Sequence, residues 1–182
     1  MKLNLGCGRE TIRGYVNCDI SKDVNPDKVV DLEKKLPFKD NSVEEVVINH
    51  VLEHIINFIP LMHELRRICG PGARIYARVP FYSSWSQFTD PTHVRFFTPR
   101  TFDYFKKGEL GHEAGANEDL FIVKKVKINF FFGKMAILNP IINPLINLSQ
   151  RAYCRLFAWT FPASEICYEL EVVKNKSIKE KD

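Results

Sequence analysis

A chain of 182 residues with 45% hydrophobic side chains is long enough to bury one substantial core, and it is expected to form a single domain. Its 26 basic and 22 acidic residues leave a net charge of +4, too mild a bias to point to a nucleic acid partner. The five cysteines, Cys7, Cys18, Cys69, Cys154 and Cys167, are odd in number and show no C-x-x-C spacing, which favours reduced thiols in a cytoplasmic protein over a disulfide framework or a zinc ribbon. No uninterrupted run of about 18 apolar residues predicts a membrane-crossing helix. The chain opens directly on an apolar strand, so no secretory leader is expected.

That first strand is Leu3-Asn-Leu-Gly-Cys-Gly8, an apolar alternation that runs straight into two glycines one residue apart. Glycine lets the backbone take positive φ and lets a ligand lie against the main chain, and open parallel sheets bind ligands at the carboxyl ends of their strands. Tyr15–Ile20 reads as the second strand, carrying Asp19 at its tip, where nucleotide-binding sheets usually hold a ribose. About ten residues separate Gly8 from Asp19, against roughly 20 in dinucleotide folds. The intervening helix is therefore cut to little more than a loop around Arg9–Gly14.

Val29–Asp31 and Val43–Asn49 read as the third and fourth strands. A short helical turn is predicted from Val51 to about Phe58 and a new helix from Pro60 to Arg67, where Leu61, Leu65 and Ile68 recur at helical spacing. Gly70-Pro71-Gly72 stops it, and Ala73–Val79 is the next strand. Phe81–Thr101 is a long aromatic loop holding Asp90, His93 and Arg95; Thr98-Pro99 starts a helix over Arg100–Lys107. Val126, Ile128 and Phe130 alternate with lysines, and Tyr168, Leu170 and Val172 alternate with glutamates, predicting an antiparallel pair with lysine set against glutamate. Between them lies an apolar insert, 131–162, too broken by Pro140 and Pro144 for one long helix.

Leu3–Gly8, Asn17-Cys-Asp-Ile20, Asp31 with Leu36-Pro-Phe38, His50-Val-Leu-Glu-His54, Glu64-Leu-Arg-Arg67 and Pro71-Gly72 occur in the order found in class I S-adenosylmethionine-dependent methyltransferases. The chain resembles the small methyltransferase-domain branch of that superfamily over roughly residues 1–105. The resemblance implies an α/β, Rossmann-like, seven-stranded and mostly parallel sheet ending in an antiparallel hairpin. It implies S-adenosyl-L-methionine as cofactor and S-adenosyl-L-homocysteine as product. It places Gly6, Cys7 and Gly8 against the methionine portion, Asp19 on the ribose, Asp31 and Leu32 beside the adenine, and Asn49 and His50 beneath the sulfonium, with Asn4 also among the cofactor-binding residues. Two departures stand out: the first helix is nearly gone, and Arg9-Glu10 replaces the third glycine of the fuller motif.

Methyl transfer from a sulfonium asks for alignment and exclusion of water, and a hydroxyl acceptor also needs a base. His93, after the fifth strand, is the candidate, against a purely structural role in shaping the loop. The acceptor is expected to be a small molecule of lipid or sugar type; the aromatic loop and the insert would both rim the cleft and both are apolar, and the insert is expected either merely to cover the sheet or to make peripheral contact with a membrane. Two other functions compete. One is a cofactor-binding protein without transferase activity. The other is a zinc hydrolase, since His50-Val-Leu-Glu-His54 also spells H-x-x-E-H; with His50 at a strand end and off the helix the two imidazoles need not face each other, so no metal ligand is assigned.

Overall fold

The computed structural model describes residues 1–107, 119–131 and 133–174. Its seven strands are β1 (Lys2–Leu5), β2 (Val16–Asp19), β3 (Lys28–Val29), β4 (Val43–Asn49), β5 (Cys69–Pro80), β6 (Phe121–Asn129) and β7 (Glu165–Val172). They form one sheet in the order β3-β2-β1-β4-β5-β7-β6. β1 to β5 run parallel, and β7 lies antiparallel to both β5 and β6. The fold class is as expected, and so is the missing first helix: β1 and β2 are joined by turns alone.

The hydrophobic alternation explains the layering. Leu3 and Leu5 on β1, and Val46 and Ile48 on β4, are fully buried. Helix α1 (Phe58–Ile68) presents Phe58, Leu61, Met62, Leu65 and Ile68 to this core at helical spacing. Burying a Leu or Ile side chain in this way contributes about 1.5–3 kcal/mol.

Several boundaries differ from the sequence reading. The stretch after β4 makes only a 3-10 turn, Leu52–His54, and α1 begins at Phe58 with Pro60 inside its first turn, where the missing N–H costs no helical bond. β5 starts at Cys69 and takes Gly70-Pro71-Gly72 into its length beside an irregularity in β4 pairing. The expected helix over Arg100–Lys107 is a 3-10 segment, Thr101–Phe105. Residues 108–118 lie outside the described part. Lys125 does sit opposite Glu169, while Lys124 reaches Glu171 at 3.4 Å.

The motif residues Leu36-Pro-Phe38 and Glu64-Leu-Arg-Arg67 turn out to be one hydrogen-bonded unit. Arg67 grips Glu64 through Nε and Nη2 at 2.9 and 2.8 Å and donates to the carbonyls of Leu36 and Phe38, while the Leu36 N–H donates to Glu64 at 2.8 Å. This clamp fastens the segment before β4 to α1.

The insert folds in an unusual sense. The aromatic loop holds the short helix α2 (Trp85–Thr89), and in the insert helix α3 (Asn139–Leu148) turns Asn139, Asn143 and Asn147 toward the outer edge of β6 and the turn after it. Asn147 accepts from the Ile128 N–H at 2.9 Å and donates to its carbonyl at 2.8 Å, Asn143 accepts from Phe130 N–H at 2.9 Å, and Asn139 both accepts from and donates to Phe131 at 2.9 Å. The polar face of the helix is inward, and its apolar face is outward.

Candidate functional site

The carboxyl ends of β1, β4 and β5 meet around two adjoining clefts. The first, about 430 Å³, is lined by Gly6, Cys7, Gly8, Arg9, Asn49 and His50, with Asn4 at its base. Gly6 and Gly8 have φ of +67° and +50°, so the turn depends on glycine. A Cβ on Gly8 would meet nothing within 4 Å, so its backbone faces open space, whereas a Cβ on Gly6 would stand 2.2 Å from Val51 Cγ2.

Side chains brace this turn from below. Asn4, buried at the end of β1, donates to the Glu10 carbonyl and to Asn17 Oδ1, both at 2.9 Å, and the same Asn17 oxygen accepts from Ile12 N–H. Asn17 in turn is fixed by Asp27, which accepts from its backbone and side chain and is thereby held below the usual carboxylate range. This is how a helix-less crossover keeps its shape. Arg9, Glu10, Thr11 and Ile12 line the cleft as well. Sequence reasoning saw them only as a shortened connection; the signal available was the shortness itself, which folds the loop back over the turn.

Asp19, Asp31 and Leu32 do not line this cleft. Asp19 accepts from the backbone of Gly8 at 2.8 Å and of Ser21 at 2.9 Å. Asp31 accepts from Glu33 N–H and pairs with Lys34 at 3.0 Å, which lowers its pKa, and Leu32 is buried in the core. Burial, reinforced by Asp19, pushes the Cys7 thiol up, so it stays protonated at neutral pH.

The second cleft, about 390 Å³, is lined among others by His50, Glu53, His54, Trp85, His93 and Glu165. His50 belongs to both. It leaves β4 with φ +53°, a conformation few non-glycine residues take, and its N–H donates to the Arg78 carbonyl at 2.7 Å. Its ring lies between two carboxylates, Glu165 at 3.6 Å and Glu53 at 3.5 Å, which push its pKa up to about 9 against the opposing effect of burial. His50 is therefore an imidazolium at neutral pH. Glu53 is fully buried and neither of its carboxylate oxygens has a hydrogen-bond partner among the described residues; the same holds for Oε2 of Glu165. The His50 imidazolium between them supplies the compensating charge for both carboxylates.

His93 enters this cleft from the aromatic loop. That loop is tied to the turn after β4, because the Glu53 carbonyl accepts from the N–H groups of Val94 and Arg95 at 2.9 and 3.2 Å. The structure thus brings His50, His54 and His93 to one cleft, although His50 and His54 do not face each other across a helix.

The methyltransferase-domain family model matches residues 3–77, a stretch that contains the glycine turn, His50 and most of β5. No curated protein matches the sequence. Among solved structures, the chain is similar to a SAM-dependent methyltransferase from Archaeoglobus fulgidus, with a TM-score of 0.58 and 19% identity over 93% of this chain and 85% of the other. It is also similar to the cyclase SpnF, with a TM-score of 0.59 and 12% identity over 96% and 75%. A third likeness is to an N-methyltransferase from Haemonchus contortus solved with S-adenosylhomocysteine, with a TM-score of 0.56 and 13% identity over 96% and 48%. At such identities the likeness is one of fold.

Proposed function

We propose that this chain binds S-adenosyl-L-methionine in the first cleft and methylates a small-molecule acceptor in the second; the methyltransferase-domain model matching residues 3–77 and the likeness of fold to a SAM-dependent methyltransferase support this reading. The observation that carries this reading is that both clefts open on one residue, His50. When bound, the cofactor supplies a methyl group on a sulfonium, whose C–S bond breaks as the bond to the acceptor forms.

The residues present fit that group. The open side of Gly8 gives room for a ligand against the main chain, and Asn4, Asn49 and the glycine turn line the space it would fill. Asn4, Asn17 and Asp19 act through the turn they hold, while Asn49 and His50 form the wall between donor and acceptor. His50, already protonated, cannot take a proton from the acceptor. His93 is assigned the contact with the reacting hydroxyl.

The test is calorimetric titration with S-adenosylhomocysteine, followed by transfer of labelled methyl to hydroxylated small molecules, sugars and lipids first. Micromolar binding with a labelled product is the expected result. Binding without any product favours a binding protein; no binding by folded chain overturns the reading.

We further propose that the insert rests on an anionic membrane surface, which would bring the second cleft near lipid-like acceptors. Ile137, Ile141, Leu145 and Leu148 on and before α3 are 69–87% exposed, as are Leu156 and Trp159 at 67–68%. An apolar groove of about 420 Å³ runs beside them, lined by Ile142, Phe157 and Phe161 among others. Residues 131–162 hold three cations, Lys134, Arg151 and Arg155, and no carboxylate. A second copy would set those cations against each other; anionic lipid complements them. Among the described residues no helix is long and apolar enough to cross a membrane, so the contact would be superficial. Cosedimentation with phosphatidylglycerol vesicles, reduced by Ile141→Glu with Leu145→Glu, is expected. A salt-stable dimer abolished by the same substitutions would replace the membrane with a second copy.

A further inference from the structure

Glu53, His54 and His93 each place one ligand-type atom within 4.8 Å of the others. A tetrahedral ion with bonds of about 2.1 Å separates its ligand atoms by about 3.4 Å, so closure requires movements of about an ångström. The two rings already meet edge to face, with centroids 4.7 Å apart.

The hydrogen bonds around this trio place a hydrogen on one nitrogen of each ring. Nδ1 of His93 lies 3.2 Å from the Gln87 carbonyl, which can only accept, so that nitrogen carries the hydrogen. Nδ1 of His54 lies 2.8 Å from Thr92 Oγ1, and this hydroxyl spends its own hydrogen on Asp90 Oδ1 at 2.6 Å. Thr92 must therefore accept from His54, whose Nδ1 is a donor too. Each Nδ1–H is thus anchored as the outer partners of metal-bound histidines are, which leaves Nε2 of each ring as the nitrogen a metal would take. Nε2 of His93 also stands 3.9 Å from Asp90 Oδ2. The third member, Glu53, is a fully buried carboxylate with two oxygens lacking hydrogen bonds among the described residues; its charge is met by His50 at 3.5 Å. Two imidazoles and a carboxylate with an open cleft beside them suit a first-row divalent ion such as zinc, cobalt or iron(II).

We propose that Glu53, His54 and His93 form a divalent metal site on the acceptor side of His50, with the cleft leaving room for an oxygen ligand from the acceptor. The histidines are thus drawn from two segments, the turn after β4 and the aromatic loop, and not from the His50–His54 pair suggested by the H-x-x-E-H spelling. The role rests on the methyl-transfer reading: His93 then acts on the acceptor hydroxyl through the ion, which lowers the pKa of a bound oxygen and lets its proton leave to water in the cleft. The site itself rests on geometry alone.

The experiment is titration of the full chain with cobalt(II) under reducing conditions, read by visible absorption, with zinc calorimetry in parallel. One equivalent is expected to bind with the bands of a four- or five-coordinate ion. Affinity should fall at least tenfold in His93→Ala and in Glu53→Gln, fall about 10–100-fold in Thr92→Val, which keeps all three ligands but releases the His54 tautomer, and stay unchanged in His63→Ala, an exposed histidine elsewhere. If Glu53→Gln does not fold, His93→Ala and Thr92→Val decide. No saturable binding, equal binding by these variants, or a near-ultraviolet thiolate band would each overturn the site. S-adenosylhomocysteine titrated into the same samples separates this outcome from failure of the cofactor reading.

Discussion

The backbone N–H of Gly8 donates to Oδ2 of Asp19 at 2.8 Å, so the glycine turn after β1 and the tip of β2 form one rigid corner. Asp19 also receives the Ser21 N–H through its other oxygen. Asp19→Ala removes both acceptors at once. Hydrogen bonds to a charged group are worth about 1.5–3 kcal/mol each at most, so a loss of about 2 kcal/mol in urea unfolding is expected. Affinity for S-adenosylhomocysteine should fall with it, and Asp19→Asn, which keeps an acceptor oxygen, should recover part of both.

Gly6 is the tighter of the two glycines. Its positive φ and the 2.2 Å approach of a built Cβ to Val51 mean that Gly6→Ala must strain the backbone and displace Val51 together. A stability loss above about 1 kcal/mol is expected by thermal melting. Combining it with Val51→Ala should recover the steric part and leave the φ penalty, so a double mutant as unstable as the single one would argue against the contact.

The Glu64–Arg67 clamp gives a pH dependence with a defined sign. Hydrogen bonds from Arg67, with help from the Leu36 N–H, hold the Glu64 carboxyl below its ordinary pKa. A depressed carboxylate stabilises the fold above its unfolded pKa, about 4.3, and that contribution disappears as pH falls through the lower folded value. Urea midpoints of wild type and Glu64→Gln should therefore differ at pH 7 and converge toward pH 3; a gap that persists in acid would locate the effect in packing.

His93→Ala is expected to lower methyl transfer by about 100-fold or more while leaving S-adenosylhomocysteine binding unchanged, because His93 lines the second cleft and not the first. Single-turnover transfer and calorimetry on the same sample check the two halves. A parallel loss of cofactor affinity would show that the aromatic loop supports the first cleft instead.

The parts of the fold that were legible in the sequence are those set by short-range periodicity. β4 and its apolar Val46-Val47-Ile48 core, the glycine turn and the lysine–glutamate hairpin all depend on alternation and turn chemistry close in the chain. Boundaries governed by tertiary partners were not: β5 runs back to Cys69 because β4 pairs with it there, and nothing local to Gly70-Pro71-Gly72 announces that. At the site, Gly6, Cys7, Gly8, Asn49 and His50 line one cleft because they end adjacent parallel strands, a grouping that strand order alone makes legible. Asp19, by contrast, reads the same whether it faces a ligand or braces a turn. The grouping of His54 with His93 was invisible because it depends on Glu53's carbonyl drawing a loop some 40 residues away onto the turn after β4.

The asparagine ladder of α3 has one more consequence. β6 is a border strand, and a border strand with unpaired N–H and C=O groups is a template on which another chain can crystallise its own strand. Asn139, Asn143 and Asn147 supply amide groups to Ile128, Phe130 and Phe131 much as a neighbouring backbone would, so the helix serves as a side-chain surrogate for an eighth strand. The end of β6 is thereby closed to another strand, and a protein that shows greasy residues to its surroundings keeps a shut door at the corner of the sheet nearest to them.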